Sequence, residues 1–166
     1  IATIDSRLRM QTFDAEGVPK AQWVVSSTWQ PRSGLGNGTP IITWLGDDFF
    51  VILKDEVLQY TADGELKTRY NLEGGDVQAA VIAKGRLLVR HSGGSEIIEY
   101  KPEDGFRQGK FNKKPVPEDG SEDWDLASDA DDNLYIATDA GKIHKFNKRG
   151  RFVTTIDAFE KGREMP

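Results

Sequence analysis

The side chains Asp76, Gln78, Asp123 and Asp125 are the residues of this chain with the clearest capacity for chemistry. Brought together by a fold, oxygen ligands of this kind hold calcium, a hard cation that takes several at once. Left apart, the same side chains cap turns or hydrogen-bond a neighbouring strand. A second acidic run, Asp129-Ala130-Asp131-Asp132-Asn133, has the look of a calcium loop, but Leu134 stands where the sixth-position Gly belongs and Ala140 where the twelfth-position Glu belongs. It reads as a hairpin turn.

Other chemistries find less support. His91 and His144 lie far apart in sequence, and neither has a metal-ligand companion at close spacing. No Gly-x-Ser-x-Gly nucleophile elbow occurs, and the chain holds no cysteine, so thiolate chemistry, disulfides and Cys-based metal sites are excluded. Thr28 to Pro40 is the least regular stretch. Its Gly34-Leu35-Gly36-Asn37-Gly38 leads into a strand and not a helix, so the helix N-terminus that phosphate loops rely on is missing. Asn37-Gly38-Thr39 is a formal glycosylation sequon. Long loops on rigid scaffolds carry recognition, and Trp29 with Arg32 is a pair suited to anchoring an interface. The alternative is a plain connection.

The elements that must position these residues are strands. The chain has 166 residues, 37% of them apolar and 30% charged, with a net charge of −5. That balance fits one domain with a real core. It disfavours a general nucleic-acid binder, whose phosphate contacts need a basic face, although local basic clusters stand at Lys110 to Lys114 and Lys142 to Arg151. No apolar stretch approaches the roughly 20 residues that cross a bilayer. The first residue is Ile1 and no signal peptide is present, which reads as a processed or trimmed chain.

A phrase recurs four times: an alternating run ending in an aromatic residue, then polar residues and Gly, then a second alternating run. The copies end Phe13-Asp14-Ala15-Glu16-Gly17, Tyr60-Thr61-Ala62-Asp63-Gly64, Tyr100-Lys101-Pro102-Glu103-Asp104-Gly105 and Phe146-Asn147-Lys148-Arg149-Gly150, with glycines 47, 41 and 45 residues apart. A period of about 40 to 50 residues made of strands is what propeller blades produce. Each period divides into four strands. In the last they are Trp124 to Ser128, Leu134 to Thr138, Lys142 to Phe146 and Arg151 to Ile156. The preceding units give Ile41 to Leu45, Phe49 to Leu53, Glu56 to Tyr60 and Glu65 to Leu72, then Val77 to Ile82, Arg86 to Arg90, Glu96 to Tyr100 and Phe106 to Phe111. No segment keeps a helical period. The expectation is an all-β fold of four-stranded antiparallel blades, about three and a half in number: a half blade over 1–27, blades over 41–72, 76–111 and 123–157, and a linker over 158–166.

Asp125 to Asp139, followed by Lys142 to Gly150, resembles an NHL-type repeat: an apolar strand, an Asp/Asn turn, a Tyr-containing strand ending in Ala-x-Asp, and a strand ending in Phe before a Gly turn. Residues 1 to 17 resemble the second half of such a unit, whereas Arg90-His91 replaces Ala-x-Asp in the third. The resemblance implies a β-propeller, usually six-bladed, and a lean towards an exported protein of the bacterial periplasm or exterior. In such folds the first strand of each blade lines the central channel, which is where Asp76, Gln78, Asp123 and Asp125 fall.

Three and a half blades cannot close a ring, because an uncapped repeat array leaves an apolar face at each end. The chain is a piece of a longer propeller, or its ring is completed by a protein partner or a second copy, or it closes as a distorted four-bladed ring; the last lacks two strands. Two functions follow. One is a non-catalytic binding or scaffold module, with Trp29 and Arg32 as contacts and no cofactor. The other is a calcium-assisted hydrolase resembling propeller lactonases, with Asp76, Asp123 and Asp125 as ligands. RNA binding, known among NHL proteins, is disfavoured by the net charge.

Overall fold

The computed structural model describes residues 1–5, 7–25, 40–91, 96–111 and 124–158. Their strands fall into four antiparallel sheets, each built in chain order. The chain divides into two compact units, Ile1–Val77 and Gln78–Pro166.

In the first unit, β1 (Ala2–Ile4), β2 (Arg9–Phe13) and β3 (Pro19–Val24) form a three-stranded sheet. The second sheet is β4 (Ile41–Leu45), β5 (Asp48–Leu53), β6 (Glu56–Tyr60) and β7 (Leu66–Asn71). The second unit holds β8 (Val77–Ala83) from its second residue on, β9 (Arg86–His91), β10 (Ile97–Lys101) and β11 (Arg107–Lys110), then β12 (Trp124–Ser128), β13 (Leu134–Thr138), β14 (Lys142–Phe146) and β15 (Phe152–Asp157). The only helical turn among the described residues is a 3-10 turn at Pro102–Asp104. No helix there is long and apolar enough to cross a membrane. The strands read from alternation are the strands found, within a residue or two at their ends.

Burial explains the residue pattern. The second strands β5 and β9 are nearly continuous apolar runs, with Phe50, Val51, Ile52 and Leu53, and Leu87, Leu88 and Val89, all buried. A strand covered on both faces loses the polar alternation of a half-wet strand. The last strands of the first two sheets, β3 and β7, keep it, exposed residues alternating with half-buried ones. In the first unit Leu8, Met10, Val25, Val51, Leu53, Leu58 and Tyr60 form one core. In the second, Ala79, Leu88, Ile97, Phe111, Leu126, Leu134, Ile136 and Phe146 are among those forming another. Each fully buried Val, Leu, Ile, Phe or Met among them stabilises by about 1.5–3 kcal/mol.

One loop design closes five hairpins. At Asp5–Leu8, Asp14–Gly17, Thr61–Gly64, Asp129–Asp132 and Asn147–Gly150 the fourth N–H donates to the first carbonyl, and the first N–H donates to the carbonyl of the residue after the loop. The first side chain then accepts from backbone N–H groups further along: Asp14 Oδ1 from Glu16 and Val18, Thr61 Oγ1 from Glu65, Asn147 Oδ1 from Arg149 and Arg151. Asp, Asn and Thr are the residues that can supply such an acceptor. The fourth position has positive φ, +83° at Gly17 and +90° at Gly64, which glycine adopts without strain. Leu8 and Asp132 hold it at 59° and 62°. The third sheet departs from the design. Its turn is one residue longer, Pro102 cannot supply the acceptor, and Phe106 takes positive φ beside Gly105.

The glycine loop is also where sheets meet in the first unit. Trp23, on β3, lies over Gly64 so closely that a Cβ there would come within 2.6 Å of its ring, and its indole tilts against Tyr60 with centroids 5.8 Å apart. In the second unit, Phe111 joins Leu126, Leu134 and Phe146 of the following sheet in the core, Ser128 Oγ donates to Ile82 O at 2.9 Å, and Arg86 Nη2 donates to Lys148 O at 3.2 Å. Trp23 and Phe111 are equivalent, each six residues beyond its loop glycine.

Candidate functional site

The structure gives each of the described calcium candidates a local partner. Asp76, in the first unit, lies 3.4 Å from Lys54 Nζ. Gln78 Oε1 accepts from Arg90 Nη1, and Arg90 is 4% exposed. Asp125 is exposed and accepts from the N–H of Leu126 at 2.8 Å. Among the described residues no three His, Cys, Asp or Glu side chains converge as a metal site would require. Asp123, Trp29 and Arg32 lie outside the described residues.

The histidines are buried. His144 shares a hydrogen bond of 2.8 Å between its Nδ1 and Thr155 Oγ1, and packs near Phe152. His91 Nε2 lies 3.4 Å from Tyr100 Oη. The Arg90-His91 pair thus forms part of a polar interior in the third sheet, a role that its departure from the apolar repeat signals without specifying.

The most developed electrostatic arrangement is at the β12–β13 turn. Asp129 Oδ1 accepts from the N–H groups of Asp131 and Asn133, while Oδ2 accepts from Asn133 Nδ2 at 2.9 Å and Tyr135 Oη at 2.8 Å. The Asn133 side chain is the main reason the Asp129 pKa falls to about 2, with the backbone and Tyr135 bonds adding to it against partial desolvation. Lys145 lies over the Tyr135 ring, 5.0 Å from its centroid, and 4.0 Å from Asp129 Oδ2. Its pKa is raised, first by Tyr135 and then by the carboxylates of Asp129 and Asp131. The acidic run is therefore a self-satisfied turn, as its missing Gly and Glu implied.

Beside this turn runs an open groove of about 570 Å³. Asp131, Asp132 and Asn133 line one wall and Asn147, Lys148, Arg149 and Arg151 the other. The basic wall is the cluster Lys142 to Arg151 noticed in the sequence. Its backbone is fixed because Asn147 Oδ1 holds the N–H groups of Arg149 and Arg151 at 3.0 and 3.1 Å, while the side chains of Lys148, Arg149 and Arg151 stay exposed. In the first unit, Trp44 stands 67% exposed on β4. On the outer strand β15, Phe152, Val153 and Ile156 are all about half exposed. Nothing in the sequence pattern separated these apolar residues from those that are buried.

No protein-family model and no curated protein matches the chain. Solved structures do. The chain is similar to BBS1N, crystallised in complex with ARL6DN, with a TM-score of 0.62 at 13% identity over 95% of this chain and 46% of that one. It is similar to BamB from Moraxella catarrhalis, TM-score 0.55 at 13% identity, covering 93% and 44%. A protein of unknown function from Bacteroides caccae gives 0.57 at 10% identity, covering 94% and 56%. The chain thus spans about half the length of the structures it matches. BBS1N and BamB are β-propellers, and the present chain accordingly has a β-propeller fold of three to four blades.

Proposed function

We propose that this chain is a non-catalytic binding module, a propeller segment that works by protein–protein contact within a larger assembly. The observation that carries this reading is the way the polar side chains are used. Asp129, Asn147, Asp14 and Thr61 hold hairpin loops in fixed shape; the turns of Asp129 and Asn147 flank the groove of Lys148, Arg149 and Arg151, and in the first unit Trp44 stands exposed on β4. Exposed aromatic and arginine side chains on a preorganised surface are what interface hot spots are made of. BBS1N, similar in fold, was crystallised with a protein partner. Within this reading Trp29 and Arg32 are further contacts, the fourth sheet is an NHL-type unit, and a protein partner or second copy completes the ring.

The test is retention of protein by the immobilised chain. Trp44→Ala, or Arg149→Glu with Arg151→Glu, is expected to release the retained protein while leaving the unfolding midpoint unchanged. Binding heat and thermal stabilisation on calcium titration, lost in Asp76→Asn or Asp125→Asn, would instead favour the hydrolase.

A further inference from the structure

We propose that the groove between the two turns of the fourth sheet holds an extended segment of the partner protein whose side chains alternate in charge. The proposal rests on the binding-module reading and gives the chemistry of what that module grips.

Local strand pairing builds the groove. Ser128, Leu134, Phe146 and Phe152 stand in one row across the sheet, and the β12–β13 and β14–β15 turns both rise from that row. Adjacent strands lie about 4.8 Å apart, which sets the two turns roughly 10 Å from each other. In the second and third sheets the first turn is short, Gly46-Asp47 and Lys84-Gly85. In the fourth sheet Asp129 to Asn133 separate β12 from β13, and Asp129 Oδ1 holds the N–H groups of Asp131 and Asn133. The second wall is held by Asn147, and also by Arg86, which pairs with Glu99 and donates to Lys148 O. Both walls are therefore raised, and both are fixed.

The charges on these walls are not needed by the loops that carry them. The loop design uses its first residue as acceptor and its fourth for positive φ, which leaves the second and third positions free. Those positions are Ala15-Glu16 in the first sheet and Ala62-Asp63 in the second, but Lys148-Arg149 in the fourth, with Arg151 following. Elsewhere bases pair with acids across strands, as Arg69 does with Glu56 and Lys110 with Glu96. Among the described residues no carboxylate pairs with Lys148, Arg149 or Arg151, although Asp131 and Asp132 line the opposite wall. The two turns thus hold opposite charges apart across open space. An extended chain satisfies both walls at once, because its successive side chains point to opposite sides. Its acidic residues meet Lys148, Arg149 and Arg151, and the basic residues between them meet Asp131 and Asp132. A nucleic-acid backbone carries charge of one sign, and the acidic wall repels it.

Fluorescence anisotropy with short labelled peptides at low ionic strength tests this. A peptide alternating Glu and Lys is expected to bind at least ~5-fold more tightly than one of the same composition with all its Glu before its Lys, a difference on the scale of two exposed charge pairs. Arg149→Ala with Arg151→Ala keeps the N–H groups that Asn147 holds. It is expected to weaken the alternating peptide by about 5- to 10-fold, with the far-ultraviolet circular dichroism unchanged. Asp131→Asn with Asp132→Asn is expected to let an all-Glu peptide bind at least as well as the alternating one. Trp44→Ala is expected to leave peptide binding unchanged. Absence of peptide binding, beside protein retention that Trp44→Ala abolishes, would reject this proposal and leave the binding module standing. Equal binding of the alternating and blocked peptides, or tighter binding of single-stranded RNA than of either, would overturn the proposal as well.

Discussion

Trp23 and Ile156 hold the same place in the repeat, and their surroundings differ in one respect: Trp23 has a glycine loop beneath it and Ile156, among the described residues, has none. The backbone is the same in both cases, the last strand of a sheet running on from a loop that an Asp or Asn side chain fixes. Local structure in this chain is therefore complete within each hairpin, while burial depends on the next sheet. Repeat arrays behave this way because each unit is stabilised by itself and by its neighbour.

Substitutions at the two positions should separate most sharply. Trp23→Ala is expected to cost about 2–4 kcal/mol in denaturant unfolding, a little under the range for truncating a fully buried Trp because Trp23 is half-buried. Ile156→Ala in dilute solution should stay within about 0.5 kcal/mol, as exposed positions do. Similar losses at both would erase the distinction between a seated and an open face.

Acid sensitivity should distinguish the two turns on the fourth sheet. Asp129 has a folded pKa of about 2 against the ordinary 3.8, so its hydrogen bonds contribute in full above that ordinary value. The contribution shrinks as pH drops below 3.8 and is gone once pH passes below the folded value. Asn147, which does the same work in the other turn, does not titrate. Stability measured from pH 7 to pH 2 should accordingly show an acid-side decline that Asp129→Asn reduces; an unchanged decline would mean that Asp129 adds nothing in solution. The smallest effect is expected at Asp132, whose φ of 62° suits glycine. Asp132→Gly should be neutral or stabilising by about 0.5 kcal/mol, since the strain relieved is partly offset by chain entropy. Leu8→Gly, at nearly the same φ, should destabilise because the Leu8 side chain belongs to the core.

Much of the fold was legible in the chain. Alternation marked the strands, and Asp14, Thr61 and Asn147 followed three residues later by Gly marked the loops, because the acceptor and the positive φ are each supplied by few residue types. Leu8 and Phe106 at positive φ were not legible, since what holds them there is tertiary burial and not turn preference. The candidate site was harder to read. Asp76 and Asp125 are the right residue types for calcium, yet a nearby lysine and a neighbouring N–H engage them locally, and sequence spacing carries no trace of such partners. Trp44 and Ile156 are apolar by type, like the residues that are buried. Their exposure follows from which strand and which sheet they occupy, which only the packing reveals.

The packing of one sheet on the next is tested most directly by adding a single methyl group at two equivalent glycines. Gly17→Ala pays only for positive φ, about 1–2 kcal/mol. Gly64→Ala pays that and must also displace the Trp23 ring, whose atoms lie 2.6 Å from the new carbon, at a further cost of about 1–3 kcal/mol typical of overpacking. Urea unfolding of the two variants in dilute solution is predicted to show Gly64→Ala as clearly the less stable. Equal losses would contradict the seating of Trp23 on the second sheet.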